Sequence, residues 1–314
     1  MSYFSSDFTL GILGGGQLGK MLLYETRKWD IATKVMDPSP EAPSRLASNA
    51  FVVGDLMDYQ TVLDFGKEVD LLTIEIENVN ADALADLENE GVQVFPSAST
   101  LRVIQNKARQ KLFYRDSGIP TAPFNRFAYT SEIIDSLDNG GLSVEYVLCP
   151  ARIPDAVAEK ARNVALKVSE KLGHVGLLAV ELFQTEEDEI LVNEVAPRPH
   201  NSGHYSIEGS FTNQFEQHLR AILGLPLGKT DSKVAAVMVN LVGAENHKGP
   251  VHYQGIGDIL ELPGVTPHIY GKKMTRPFRK MGHVTIVDPS IETARERAAL
   301  VKKRIEVISK KKTK

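Results

Sequence analysis

Short apolar runs alternate with amphipathic segments through the first third of the chain. Residues 8–13 read as an apolar strand running into a glycine cluster, followed by a helix over about 17–29. A second strand covers 31–36 and ends at Asp37-Pro38; 51–53, 71–76 and 92–95 supply three more, with helices over 59–67 and 81–90 between them. Such alternation with short connections predicts an α/β fold in which a parallel sheet is covered by helices on both faces. Residues 100–117 read as one helix rich in basic residues, stopped by Gly118 and Pro120. A short segment then ends in the polar cluster Asp138-Asn139-Gly140-Gly141. Past Pro150 a long helix is expected over 155–172, then strands over 176–183 and 190–195 joined by an acidic turn, and a helix over 211–223. After about residue 241 the pattern becomes short strands punctuated by Gly and Pro, with a final helix from about 291. The basic end, KKRIEVISKKKTK, reads as a solvated terminal helix with a frayed tail.

Length and charge narrow this picture. A chain of 314 residues fits two or three compact units. No apolar run is long enough to span a bilayer, and MSYFSSDF lacks the basic start and apolar core of a secretory signal. The single cysteine, Cys149, cannot form an internal disulfide, so a reducing, cytoplasmic setting is expected. A net charge of −4 argues against a general nucleic-acid binder.

Gly14-Gly15-Gly16-Gln17-Leu18-Gly19 matches G-x-G-x-x-G between a strand and a helix. Glycines allow close backbone approach, and a helix N-terminus offers free N–H groups to an anion. Asp37 ends the second strand, where a dinucleotide-binding fold places its ribose-binding acid. On these residues alone a nicotinamide-dependent oxidoreductase stays open.

The hairpin over 176–195 allows a sharper derivation. A turn centred between Glu187 and Asp188 sets Glu181 opposite Glu194 in an antiparallel ladder. Directly opposed side chains lie about 4.5–5.5 Å apart at Cβ, and like charges there are destabilising. Two carboxylates flanked by apolar residues need a compensating cation, and hard oxygen ligands point to Mg²⁺ held together with nucleotide phosphates. A register slip that turns one glutamate to solvent is the competing reading. Asn193, and the Arg198, His200, Asn201 and His204 that follow, favour a site, because such a polar loop leaving a buried strand is costly to build for packing alone.

GILGGGQLGKM, DPSPEAP, TIEIENV, GLLAVELF, NEVAPRPHNSGH and RPFRKMGH, spread in order from Gly11 to His283, resemble the N5-carboxyaminoimidazole ribonucleotide synthetase family of ATP-grasp enzymes in purine biosynthesis. The resemblance implies a Rossmann-like parallel-sheet domain over 1–99, a central α+β ATP-grasp domain over 100–242 and a small β-rich C-terminal domain over 243–314. It implies a homodimer and an ATP-dependent carbon–nitrogen ligase. ATP, Mg²⁺ and bicarbonate would give carboxyphosphate, whose carboxyl group the amine of 5-aminoimidazole ribonucleotide captures. Sister ATP-grasp enzymes, such as a formate-using transformylase, are the nearest alternative.

The same resemblance implies the roles of individual residues. Gly15, Gly16, Gln17 and Leu18 would hold the substrate's ribose phosphate, and Glu75 and Glu77, two apart on one strand face, would orient its base or ribose. Lys107 would pair with ATP phosphate beside Asn193, and Glu181 and Glu194 would hold Mg²⁺. Arg198, His200, Asn201 and Ser202 would position bicarbonate and substrate, with Arg276, Arg279 and Lys280 neutralising phosphate or developing charge. Two departures stand out. Lys107 occupies a place where relatives carry arginine, which keeps the charge and loses the bidentate geometry. Relatives also place a glycine-rich lid over the ATP phosphates where this chain runs from Asn139–Ser143 almost directly into Val144-Glu145-Tyr146. The lid is therefore expected to be missing near 143–144, by omission from the sequence or by true deletion that leaves a nucleotide-binding remnant.

Overall fold

The structure, a computed structural model, describes residues 3–124 and 145–310. The polar cluster at 138–141 and the expected lid junction at 143–144 lie outside the described residues. The first strands, β1 (Thr9–Leu13), β2 (Ala32–Asp37), β3 (Ala50–Val53), β4 (Leu71–Ile74) and β5 (Gln93–Phe95), form one parallel sheet in the order β3-β2-β1-β4-β5. Alternating residues of β1 and β4 face opposite sides, as a pleated strand requires. Leu10, Ile12 and Leu71 pack with α1 (Gln17–Lys28), and Leu13, Leu72 and Ile74 pack with α2 (Tyr59–Gly66), α3 (Ala81–Asn89) and α4 (Ala98–Ile104).

The expected helix over 100–117 is two helices. α4 starts one residue after Ser97, whose hydroxyl accepts from Thr100 N–H, and ends before Gln105. α5 (Lys107–Asp116) then restarts at Asn106, whose side chain accepts from Arg109 N–H. An Asn in N-cap geometry offers the backbone a better partner than helix continuation does.

The middle of the chain supplies β6 (Tyr146–Cys149), α6 (Asp155–Leu172), β7 (Ala179–Gln184), β8 (Ile190–Ala196) and α7 (Gln214–Ile222). α6 and the β7–β8 hairpin enclose Val168, Val192 and Val195 together with Ile104 and Tyr114. α7 leaves this unit and lays Phe215, Leu219 and Ile222 onto α1, each burial worth about 1.5–3 kcal/mol. Its His218 bridges from Thr73 Oγ1 on β4 (2.9 Å) to Leu177 N–H before β7 (3.1 Å), so one buried ring pins the hairpin to the parallel sheet.

Beyond it come β9 (Ala235–Val242), β10 (Gly249–Gln254), β11 (Val265–Ile269), β12 (Met274–Thr275), β13 (Lys280–Asp288), α8 (Ile291–Arg304) and β14 (Glu306–Ser309). A four-stranded antiparallel sheet, β11-β13-β9-β6, packs against α8, so the expected boundary at 242/243 falls at the end of a strand paired with those that follow it. The basic end departs from the expected terminal helix. α8 stops at Arg304, and β14 pairs with β10, burying Val307. Alternating apolar Ile305 and Val307 suit a strand with one buried face. Among the described residues no helix is long and apolar enough to cross a membrane.

Candidate active site

The β7–β8 hairpin pairs Gln184 with Ile190, Phe183 with Leu191 and Leu182 with Val192, so its turn is centred on Glu187, half a residue before the expected point. Run on without interruption, that ladder sets Glu181 opposite Asn193. A β-bulge intervenes at Asn193, and beyond it Glu181 pairs with Glu194. A bulge sets two residues against one and re-aims their side chains. Asn193 and Glu194 thus both oppose Glu181, and Asn193 Nδ2 donates to Glu181 Oε2 at 3.3 Å.

These carboxylates meet one cation and one imidazole of the protein. Lys107, the first residue of α5, pairs with Glu194. His200 Nε2 lies 3.4 Å from Glu181 Oε1, and its Nδ1 lies 2.9 Å from Ser202 Oγ. Burial, then the Arg198 guanidinium, pushes the His200 imidazole below its ordinary range, leaving it neutral at pH 7. Arg198 pairs with Glu77 at 2.8 Å, while its buried Nε–H has no partner among the described residues. A cavity of about 510 Å³ is lined by Glu77, Gln105, Lys107, Glu194, Arg198 and His200 among others. A second cavity of about 470 Å³ lies between β9 and the C-terminal strand and is lined by Glu145, Lys302 and Glu306 among apolar residues.

The glycine loop is occupied differently from the expectation. Glu75 is half-buried beneath it and accepts from the N–H groups of Gly16 (2.9 Å), Leu18 (3.0 Å) and Gly19 (2.9 Å). Gly15 N–H donates to Asp37 at 2.7 Å. The glycines are required by this internal anion: a Cβ at Gly14 (φ +98°) or at Gly16 would stand 2.5 Å from Glu75 atoms. β4 ends at Ile74, so Glu75 and Glu77 do not share a strand face: one caps α1 and the other pairs with Arg198. Burial raises the pKa of Glu75, against the pull of its N–H donors.

Models of three domains match the chain in order: a ribonucleotide synthetase preATP-grasp domain over residues 8–105, an ATP-grasp domain over 115–215 and a phosphoribosylaminoimidazole carboxylase C-terminal domain over 236–297. The N5-carboxyaminoimidazole ribonucleotide synthase of Bacillus subtilis is 30% identical, with 88% of this chain and 91% of the relative covered. The chain belongs to this synthase family. The phosphoribosylaminoimidazole carboxylase of Vigna aconitifolia is 33% identical over 94% of this chain and 67% of the relative, so the chain spans about two thirds of that longer protein. These alignments run over 357 and 371 positions, more than the chain's 314 residues, so they set gaps in this chain against residues of the relatives. The crystal structure of the Thermotoga maritima synthetase superposes with a TM-score of 0.89 at 36% identity, covering 96% of this chain and 100% of that one. The Aspergillus clavatus synthase, in complex with ADP and 5-aminoimidazole ribonucleotide, superposes at 0.84 and 28% identity over 95% and 98% of the two chains.

The synthase-family fold brings the remaining candidates to the other flank of the loop. Asn201 Oδ1 accepts from Lys280 Nζ at 3.0 Å, and Lys280, half-buried at the start of β13, feels both Glu181 and Arg198. Arg279 Nη1 donates to Met274 O at 2.7 Å, and Arg276 follows β12. Lys272 was not among the sequence candidates. Burial first, then Arg279, pushes its ammonium down to about 8, and it sits within electrostatic reach of Glu75, Lys280 and Arg276. The sequence signal was available in YGKKMTRPFRK, where lysines precede the basic motif.

Proposed function

We propose that this chain carries out the ATP- and bicarbonate-dependent carboxylation of 5-aminoimidazole ribonucleotide to N5-carboxyaminoimidazole ribonucleotide, releasing ADP and phosphate. It is an ATP-grasp ligase by family. The observation that carries the reading is the cleft lined by Lys107, Glu194, Arg198 and His200, with Glu181 and Asn193 joined to it through His200 and the bulged ladder, and Lys280 held by Asn201 on the same loop. The first group suits a phosphate–metal centre, the second an anionic co-substrate.

A bicarbonate oxygen attacks the γ-phosphorus, the bond to the bridging oxygen breaks, and ADP leaves with carboxyphosphate formed. The substrate amine then attacks the carboxyl carbon, the C–O bond to phosphate breaks, and the amine proton departs with the phosphate. Phosphoryl transfer of this kind needs positioning and charge stabilisation more than covalent help. Lys107 would hold ATP phosphate. Arg198, whose buried Nε–H has no partner among the described residues, would grip bicarbonate or carboxyphosphate alongside neutral His200, with Ser202 steadying that ring. Lys280, Arg279, Arg276 and Lys272 would neutralise the ribonucleotide phosphate, and Gly15, Gly16, Gln17 and Leu18 would contact it once Glu75 yields part of the loop. Glu77 would orient the ribonucleotide through Arg198.

Mg²⁺ fits the donor set, since Glu181, Glu194 and the Asn193 amide are hard oxygen groups on one face of a bulged ladder. Bound there it would screen the phosphate charge during transfer. The longer alignments set gaps in this chain, and the reading that these include a lid missing near 143–144 keeps both explanations: omission from the sequence, or a deletion that would leave ATP gripped from one side. A cytoplasmic homodimer belongs to the same proposal. The test is incubation of ATP and the ribonucleotide with ¹³C-bicarbonate and, in a parallel reaction, with ¹³C-formate: label in the carbamate from bicarbonate supports the reading, and label incorporated only from formate sinks it.

A further inference from the structure

Two consecutive carbonyls at the β7–β8 bulge are held by a linked pair of donors from outside the hairpin. Val192 N–H donates to Pro120 O (2.8 Å) and Val192 O accepts from Thr121 Oγ1 (2.7 Å), so both backbone groups of Val192 go to the 120–121 segment. In an uninterrupted antiparallel ladder the next residue would commit its carbonyl to the opposite strand. At the bulge, Asn193 O accepts from Lys111 Nζ at 2.9 Å, and the same ammonium donates to Thr121 Oγ1 at 2.9 Å. Chemistry fixes the direction of every bond. An ammonium only donates, a carbonyl only accepts, and the Thr121 hydroxyl, accepting from Lys111, keeps its own proton for Val192 O.

Lys111 reaches this point from α5, one turn after Lys107. Residues four apart share a helix face, and two ammonium groups placed there oppose each other. Each is matched by a group of the bulge: Lys107 pairs with the Glu194 carboxylate and Lys111 with the Asn193 carbonyl. The Lys111 ammonium also lies 5.6 Å from the centroid of the buried Tyr114 ring, which steadies it over the helix. The N-cap at Asn106 fixes where α5 begins, so one helix start sets both lysines against two consecutive residues of β8.

We propose that Lys111 is a positioning residue: by gripping the Asn193 carbonyl while Thr121 grips Val192, it holds the bulge that presents Asn193 and Glu194 together to Glu181. Without this grip the strand can fall back to the uninterrupted register, which sets Asn193 alone opposite Glu181 and turns Glu194 to the other face. The use of Glu181, Asn193 and Glu194 to hold Mg²⁺ rests on the function proposed above; the bracing of the bulge does not.

Two readouts on the full chain test this. Lys111→Met keeps the length of the stem and removes the donor. Hydrogen exchange followed by peptide mass should show the β8 amides exchanging about tenfold faster, with β9 unchanged within about twofold. Calorimetry with ADP is the second readout. Mg²⁺ should tighten ADP binding to the parent chain; in Lys111→Met that tightening should shrink about tenfold, while the affinity without Mg²⁺ stays within about twofold. Thr121→Val, which loses only the hydroxyl joint, should move both readouts the same way by less, and decides the matter alone if Lys111→Met does not fold. Parent-like exchange over β8, or equal acceleration in β9, overturns the brace. Faster β8 exchange with the Mg²⁺ effect retained overturns the positioning role and leaves the metal reading standing. A parent chain without any Mg²⁺ effect sinks the metal reading, and the exchange comparison still decides whether Lys111 holds the bulge.

Discussion

Glu75 illustrates how one residue can change the meaning of a motif. A glycine loop at a helix N-terminus advertises an anion site, and the anion here comes from the chain itself, 56 to 59 residues downstream by sequence. Glu75→Gln leaves one carbonyl oxygen where two carboxylate oxygens served three N–H donors, and sets an NH₂ group against them. It should cost about 1–3 kcal/mol in urea unfolding; a loss below about 0.5 kcal/mol would mean that the loop does not depend on Glu75. At the opposite flank, Asn193→Ala removes an oxygen that lies beside Glu181, next to the Glu194 that the bulge brings opposite it. It should weaken Mg²⁺-dependent ATP binding about tenfold with the melting temperature nearly unchanged, as calorimetry with and without Mg²⁺ would report. Equal binding in the two proteins would remove Asn193 from the metal set.

At the scale of elements, the parallel sheet and its helices were legible because apolar runs, caps and glycines agree locally. The hairpin was legible for a less direct reason. The Glu181–Glu194 pairing follows from a turn placed half a residue late, and the bulge at Asn193 supplies the same shift. Hydrophobic pattern alone does not signal a bulge, since one extra polar residue near a strand end looks like ordinary alternation. The break between α4 and α5 was visible only in Asn106, read as a helix residue although its type favours caps. The strand at 306–309 was hidden by the lysines around it, and the stacking of His204 on His283 by their distance in sequence. Lys272 shows the same limit: its depressed pKa comes from burial and from neighbours that only the fold assembles.

Three buried histidines couple the lobes and give the whole molecule its acid response. Burial holds His204 and His218 at about 3 and His283 well below its usual 6.5. A histidine depressed in the folded state binds its proton mainly when unfolded. Its contribution to stability is therefore full above about pH 6.5 and is lost as pH falls towards 3, at up to about 1.4 kcal/mol per pH unit for each ring. Between pH 6 and 4 urea-unfolding free energy should fall steeply, and His218→Gln, which keeps a donor for Thr73, should make the slope shallower by about one ring's share. A flat profile over that range would show that these rings are not buried as described. A true deletion of the lid would leave ATP gripped from one side and predicts a weak nucleotide site, so turnover has to be sought at high ATP. The measurement that bears most directly on the account is ADP formation at saturating Mg²⁺-ATP, with bicarbonate and 5-aminoimidazole ribonucleotide omitted in turn. ADP release that requires both, and is abolished by Glu194→Ala, is the predicted result; release indifferent to either co-substrate, or undiminished in Glu194→Ala, would contradict it.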